Sequence, residues 1–202
     1  MKKTLIIAPS WIGDMVMAQA LLRLLKFQYP DVQIDVLALA WCKPILARMP
    51  EVTKAITMPV GHGKLKLKAR YQLAKGLRRE NYDHTFVLPN SVKSALIPFF
   101  AKIPNRIGWG NCLRAGWLNK RRVLDKAFYP LMVERYMALA LPEKQVPELE
   151  NFRPKLVVDA GLVEKVVAKY DLDIQRPVLI LCPGAQFGGS KRWPMEYFAK
   201  LV

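Results

Sequence analysis

Residues able to do chemistry gather first at Pro9-Ser10-Trp11-Ile12-Gly13-Asp14, where an apolar run gives way to a helical pattern. A glycine at such a junction lets the backbone come close to a ligand, and the first N–H groups of a helix are open to an anion. Asp14 falls in the first helical turn, where the helix dipole favours its ionised form. An ionised carboxylate at the mouth of a cleft can take the proton from a hydroxyl nucleophile. The same carboxylate could do no more than cap the helix or complement its dipole, and spacing alone leaves both uses open. No G-x-G-x-x-G and no Walker-type lysine follow, which argues against a dinucleotide oxidoreductase and a P-loop enzyme.

A second constellation is Cys182-Pro183-Gly184-Ala185-Gln186-Phe187-Gly188-Gly189-Ser190-Lys191-Arg192-Trp193-Pro194. Three glycines and a Ser-Lys-Arg cluster between an apolar run and a Pro-led helix suit a diphosphate cradle, with Lys191 countering the charge of a leaving phosphate. The competing reading is a surface loop solvated by its own lysine. A third feature is charge. The 202 residues carry 32 Lys+Arg against 16 Asp+Glu, a net +16. Between Val52 and Leu124 stand 15 basic residues and two acidic ones, Glu80 and Asp83. Lys64, Lys93, Arg114 and Lys120-Arg121-Arg122 belong to this stretch, either as ligand contacts or as an ordinary solvated face. Trp109 and Trp117 could stack on sugar rings or simply pack. A polyanion or anionic surface is the expected partner.

The elements that must position these groups are legible from periodicity. Thr4–Ala8, Gln33–Leu39, Ala55–Met58, Tyr82–Leu88 and Arg106–Gly108 read as strands. Helices are expected at 14–28, after the turn 9–13, at 44–49, 66–79, from 92, and at 131–141, the third with Leu67, Tyr71, Ala74 and Leu77 buried. Alternating strands and helices predict an α/β, doubly wound parallel sheet, with ligands beyond the carboxyl ends of its strands, where 10–14 and 89–91 would lie. Prolines 142, 147 and 154 mark a linker. This divides the chain into residues 1–154 and a second domain, 155–202, with a further strand at 177–181. One strand and two helices bury little core, so only the beginning of that domain is expected here.

Three dispersed cysteines and two histidines offer no disulfide framework and no metal-ligand spacing, which predicts a reducing, cytoplasmic setting and no metal. No apolar run approaches the length of a membrane span. The charge also raises a nucleic-acid-binding module, although no RNA-recognition, zinc-finger or helix-turn-helix signature accompanies it.

Pro9–Met15, Met49-Pro50-Glu51-Val52, Leu88-Pro89-Asn90-Ser91, Gly108-Trp109, Leu131–Tyr136 and Cys182–Ala185 running to Lys191-Arg192-Trp193-Pro194 resemble the ADP-heptose:lipopolysaccharide heptosyltransferases, glycosyltransferase family 9 of Gram-negative bacteria. The resemblance runs along almost the whole chain. It implies a GT-B architecture of two Rossmann-like domains, the first for the acceptor and the second for the sugar nucleotide. It implies inverting, metal-independent transfer of L-glycero-D-manno-heptose from ADP-heptose to the first heptose of the lipopolysaccharide inner core, with no cofactor, at the cytoplasmic face of the inner membrane. Another heptose position within the same family is the nearest alternative. Asp14 matches the general base. Gly13, Gln186 and Lys191 fall at donor-binding positions, and Ser10, Trp11, Lys64, Asn90, Lys93 and Arg122 are candidates for the acceptor and its Kdo acids. A second donor motif of the family, Asp-Ser/Thr-Gly, does not occur after residue 194, so these 202 residues are expected to be inactive by themselves.

Overall fold

The computed structural model describes residues 1–61, 65–110, 112–185 and 188–201, which fall into two compact units, Met1–Val157 and Val158–Val202.

The first unit is built on strands β1 (Lys3–Ile7), β2 (Gln33–Ala38), β3 (Lys54–Thr57), β4 (His84–Val87), β5 (Asn105–Trp109) and β6 (Lys120–Arg122). They form one sheet in the order β3-β2-β1-β4-β5-β6, with every neighbouring pair parallel. Parallel pairing requires crossovers, supplied by helices α1 (Ile12–Gln28), α2 (Lys43–Leu46), α3 (Leu67–Leu77) and α4 (Val92–Phe100); α5 (Met132–Ala138) and α6 (Leu149–Phe152) follow the sheet. The central strands read as unbroken apolar runs because both faces are covered. Ile6, Val36 and Phe86 point into a core with Met15 and Leu22 of α1 and Tyr136 of α5. Their neighbours Leu5, Leu37 and Val87 point the other way, toward Ala74 and Leu77 of α3 and Ala95 and Ile97 of α4. The strand order reverses at β1, so the β1–α1 and β4–α4 turns flank a crevice at the carboxyl end of the sheet.

Three local expectations are revised. The buried line of α3 is Arg70, Ala74 and Leu77, at i, i+4 and i+7, while Leu67 and Tyr71 are about half exposed. The sheet gains β6 from Lys120-Arg121-Arg122, a run without apolar residues. At its neighbour β5, a Cβ on Gly108 would stand 3.0 Å from the Val87 carbonyl oxygen and 3.1 Å from Leu118, so any larger residue would push β4 or the segment after β5 aside by a few tenths of an ångström. The third revision concerns residues 177–181, below.

Beyond the prolines, Lys155 and Val157 remain with the first unit. The Lys155 amide donates to Gln19 Oε1 at 2.9 Å and the Val157 amide to the Arg48 carbonyl at 2.8 Å. The second unit contains α7 (Ala160–Tyr170), capped by Asp159 accepting from the Leu162 amide at 3.2 Å, and α8 (Met195–Ala199). Its apolar segment 177–181 is not a strand: Val178, Leu179 and Ile180 are 55%, 66% and 78% exposed. A strand exists only through ladder partners, and this unit offers none among the described residues. No helix among the described residues is long and apolar enough to cross a membrane.

Candidate functional site

Asp14 stands in the first turn of α1, one turn beyond the end of β1. The N-cap position belongs to Trp11, whose side chain makes no cap bond, so Asp14 is not a capping residue. Among the described residues no hydrogen bond or ion pair engages its carboxylate, which leaves both oxygens for a ligand. It lines a cavity of about 340 Å³ with Ser10, Trp11, Asn90, Lys126, Arg135 and Tyr136. Burial, reinforced by the Asp14 carboxylate nearby, holds the Tyr136 phenol well above its ordinary range. Arg135 is fixed at the wall by its Nε donating to the Tyr129 carbonyl at 2.8 Å and its Nη2 to that of Pro130 at 2.9 Å. A partly buried carboxylate bordered by two cations and a neutral phenol is a setting in which a hydroxyl can be held and deprotonated.

Two further cavities adjoin this one. The crevice between β1, β2 and β4, about 260 Å³, shares Ser10 and Asn90 with it and adds Arg70, Ser91, Lys93 and Ser94. Arg70 is rigidly placed, with Nε donating to the Leu65 carbonyl at 2.6 Å and Nη1 to that of Lys93 at 3.2 Å; burial lowers its pKa. The third cavity, about 420 Å³, shares Asn90, Trp109 and Leu124 with the Asp14 cavity and adds Arg114 and Arg121. Arg114 is 2% exposed and donates to the Trp109 carbonyl through Nη1, but its Nε and Nη2 have no partner among the described residues. Burial without a carboxylate pushes its pKa down to about 10. Such a charge is costly to hold unpaired, and an acidic ligand group would complete it. Asn90 lines all three cavities.

The sequence-derived candidates therefore separate. Ser10, Trp11, Asp14 and Asn90 share one cavity, and Lys93 lines the crevice beside it. Gly13 lies one residue before Asp14 with open space where a Cβ would be. Arg122 donates its Nη1 to the Ala138 and Leu141 carbonyls at and after the end of α5 and lines, with Trp109 and Arg121, another cavity of about 290 Å³. Trp109 and Trp117 pack. The Trp109 Nε1 donates to the Arg135 carbonyl at 2.9 Å, and the Trp117 ring stands edge-on to Phe99. Lys64 and Gln186 lie outside the described residues. In the second unit, Lys191 closes the 3-10 turn Gly189–Lys191, entered through Gly188 at φ +78°. Arg192 holds that loop by donating Nε and Nη2 to the Ala185 carbonyl at 3.1 and 2.9 Å.

Lys126, Arg135 and Tyr136 are not among the sequence-derived site residues, and Arg114 is among them only as a member of the basic stretch. Arg135 and Tyr136 belonged to the stretch 131–136, whose ordered motif and i, i+3, i+4 spacing with Met132 were the available signal. Arg114 and Lys126 had only their charge.

Residues 70–202 match glycosyltransferase family 9 (heptosyltransferase). Lipopolysaccharide heptosyltransferase 2 of Salmonella typhimurium is 51% identical over 206 residues, 99% of this chain and 59% of that protein. Lipooligosaccharide heptosyltransferase 2 of Haemophilus ducreyi is 51% identical over 207 residues, with the same coverage of each chain. The solved structure of Escherichia coli ADP-heptose lps heptosyltransferase II superposes with a TM-score of 0.84 at 46% identity, covering 100% of this chain and 60% of that one. The chain thus spans about three fifths of the length of the relatives it matches.

Proposed function

The chain belongs to glycosyltransferase family 9, the heptosyltransferases, and we propose that the whole protein transfers L-glycero-D-manno-heptose from ADP-heptose to the first heptose of the lipopolysaccharide inner core, inverting the anomeric centre and using no metal. The observation that carries this is Asp14: a carboxylate with no hydrogen-bond or ion-pair partner among the described residues, at the carboxyl end of a parallel sheet, in a cavity walled by Lys126, Arg135 and Tyr136. Names and titles of relatives at about half identity support the class of donor and acceptor.

In this reading the first unit holds the acceptor and the second begins the donor site. An Asp14 oxygen accepts the proton of the acceptor hydroxyl as the hydroxyl oxygen bonds to the anomeric carbon, and the bond from that carbon to the diphosphate breaks on the opposite side. The electron pair leaves with ADP. Lys191, Gln186 and the backbone of the glycine loop counter its charge, and Gly13 leaves room for the donor. Ser10, Trp11 and Asn90 orient the accepting sugar. Lys64, Lys93, Arg122 and the N–H groups of Arg114 that have no partner among the described residues meet the acids of Kdo. A net charge of +16 suits an acceptor embedded in an anionic surface, and we place the enzyme peripherally on the cytoplasmic face of the inner membrane.

The test uses the full-length enzyme, ADP-heptose and mono-heptosylated acceptor, with product mass as readout. One added heptose is expected, and none on an acceptor lacking its first heptose. Asp14→Asn should lower kcat by roughly 10²–10⁴-fold with donor affinity unchanged. A variant that loses donor affinity but keeps its rate would overturn the assignment of Asp14.

A further inference from the structure

The α3/α4 side of the first unit carries a cationic surface that none of the chemistry above uses. Lys68, Tyr71, Lys75 and Arg79 follow one another at i, i+3, i+7 and i+11, which aligns them along the outer face of α3 and its last turn. At the carboxyl ends of α3 and α4 this stripe meets a groove lined by Arg78, Phe99, Phe100, Lys102 and Arg106. No acidic residue lies between Val52 and Arg79. Glu80, the next one, is already bound by Lys3 at 2.6 Å and Lys54 at 2.8 Å.

The apolar part is continuous too. Tyr71 meets Phe100 edge-on, Phe100 meets Phe99, and Phe99 meets Trp117, with centroid separations of 5.5, 5.8 and 4.9 Å. Arg78 lies over the Tyr71 ring and Arg106 over that of Phe99. Arg78 Nε is held by the Phe100 carbonyl at 2.9 Å, and Arg106 by Nε on the Trp117 carbonyl at 2.8 Å and Nη1 on that of Ile103 at 2.7 Å, so both guanidinia are fixed at the groove they line. Lys102 is exposed and sits at φ 58°, a left-handed position at which glycine or asparagine would be the unstrained choice.

We propose that this face is the one by which the protein lies on an anionic bilayer. Cations interspersed with half-exposed aromatic and aliphatic side chains match phosphate headgroups above an apolar interior. Single-stranded nucleic acid, the other polyanion to consider, needs open ring faces for base stacking. Here the rings are packed edge to face, and two are covered by guanidinia. The stripe also has a direction. α3 starts at the rim of the crevice that Arg70 lines, with Leu65 and Leu67 about half exposed, so a membrane along this flank brings its headgroups to that opening. The inference rests on the membrane location proposed above and adds which surface makes the contact.

The test is co-sedimentation of the whole chain with vesicles of phosphatidylglycerol and phosphatidylethanolamine, against phosphatidylcholine vesicles and a single-stranded 20-mer. One variant is K68E/K75E/R79E; a charge-matched control, K165E/K169E/K200E, alters the second unit. Binding to anionic vesicles only is expected, falling at least about tenfold in the α3 variant and far less in the control. A milder pair, K75Q/R79Q, and Phe99→Ser should each show a smaller loss, with thermal melts confirming that each variant folds. Equal loss in both triple variants would mean that bulk charge suffices and would overturn the proposed face while leaving the membrane location standing. Absence of vesicle binding by the unaltered chain would overturn both. Oligonucleotide binding that the α3 variant abolishes, without vesicle binding, would reassign the face to nucleic acid.

Discussion

The two units begin their candidate sites with the same local text: an apolar run, a turn rich in small or polar residues, then a helix. Lys3–Ile7 leads to Asp14, and residues 177–181 lead to Lys191. The outcomes differ completely. β1 is hydrogen-bonded on both sides, to β2 and β4, and Leu5, Ile6 and Ile7 are at most 1% exposed. Residues 177–181 have no ladder, and Ile180 is 78% exposed. An apolar run supplies the hydrophobic part of a strand, but neighbours supply its hydrogen bonds and its burial. The carboxylate of the first unit is thus mounted on a rigid frame. The lysine of the second sits on a loop held mainly by its own bonds, Gly188 and Gly189 carbonyls accepting from the Lys191 and Arg192 amides, and Arg192 returning to Ala185.

The largest expected contrast is in stability. Ile6→Ala in this chain should lower the unfolding free energy by about 2–5 kcal/mol, because the core between β1 and α1 can collapse only partly around the lost side chain. Ile180→Ala should move it by less than about 0.5 kcal/mol. Urea unfolding followed by far-UV circular dichroism checks both. A large effect at residue 180 would show that the second unit buries its apolar run after all, and the contrast would fail.

The next contrast sets a buried guanidinium against an exposed one. Arg114 is enclosed, and its Nε and Nη2 have no partner among the described residues, whereas Arg192 uses Nε and Nη2 on its own loop. Replacing a buried, unpaired charge with an apolar side chain of similar length removes a desolvation cost. Arg114→Met should therefore leave stability unchanged or raise it by about 1–4 kcal/mol, even though the Trp109 carbonyl loses a donor. In the full-length enzyme it should raise KM for the acceptor and leave donor affinity as it was. A destabilised variant with unaltered KM would mean that Arg114 serves the fold alone.

The same comparison explains what the sequence made legible. Residues 4–8, 33–39 and 82–88 announced themselves as buried strands because their neighbours cover both faces, and Asp14 was conspicuous because a carboxylate follows a glycine at a strand–helix junction. β6 went unseen because Lys120-Arg121-Arg122 is an edge strand, where charged side chains are tolerated and help to block further pairing. The same three charges made Arg122 a candidate ligand contact, but nothing in them announced that its Nη1 would also hold the Ala138 and Leu141 carbonyls. Tyr71 was placed in the core because an aromatic at helical spacing usually belongs there; one step of rotation put Arg70 inside instead. Lys126, Arg135 and Tyr136 reach Asp14 from more than a hundred positions along the chain, which only the packing of α5 on α1 determines.

The smallest expected effect concerns pH, and it sharpens the contrast further. Glu80 of the first unit bridges Lys3 on β1 and Lys54 on β3, and those hydrogen bonds hold its carboxyl down to about 2. In the second unit the ion pair Asp173–Arg176 spans only three residues and is largely exposed. A carboxyl whose folded pKa lies below its unfolded value contributes stability that is complete above the unfolded value. The contribution shrinks as pH falls from there toward the folded value, here between about 4.5 and about 2. The pair is partly solvated, so the contribution is modest. Urea midpoints should accordingly fall on acidification through this window, and Glu80→Gln should flatten that slope while lowering the midpoint slightly at neutral pH. Asp173→Asn should leave the slope unchanged, because an exposed local pair gains little from folding and gives up little when protonated. If the two variants flatten it equally, the acid response belongs to the net charge of the whole chain and not to the ties between β1, β3 and the end of α3.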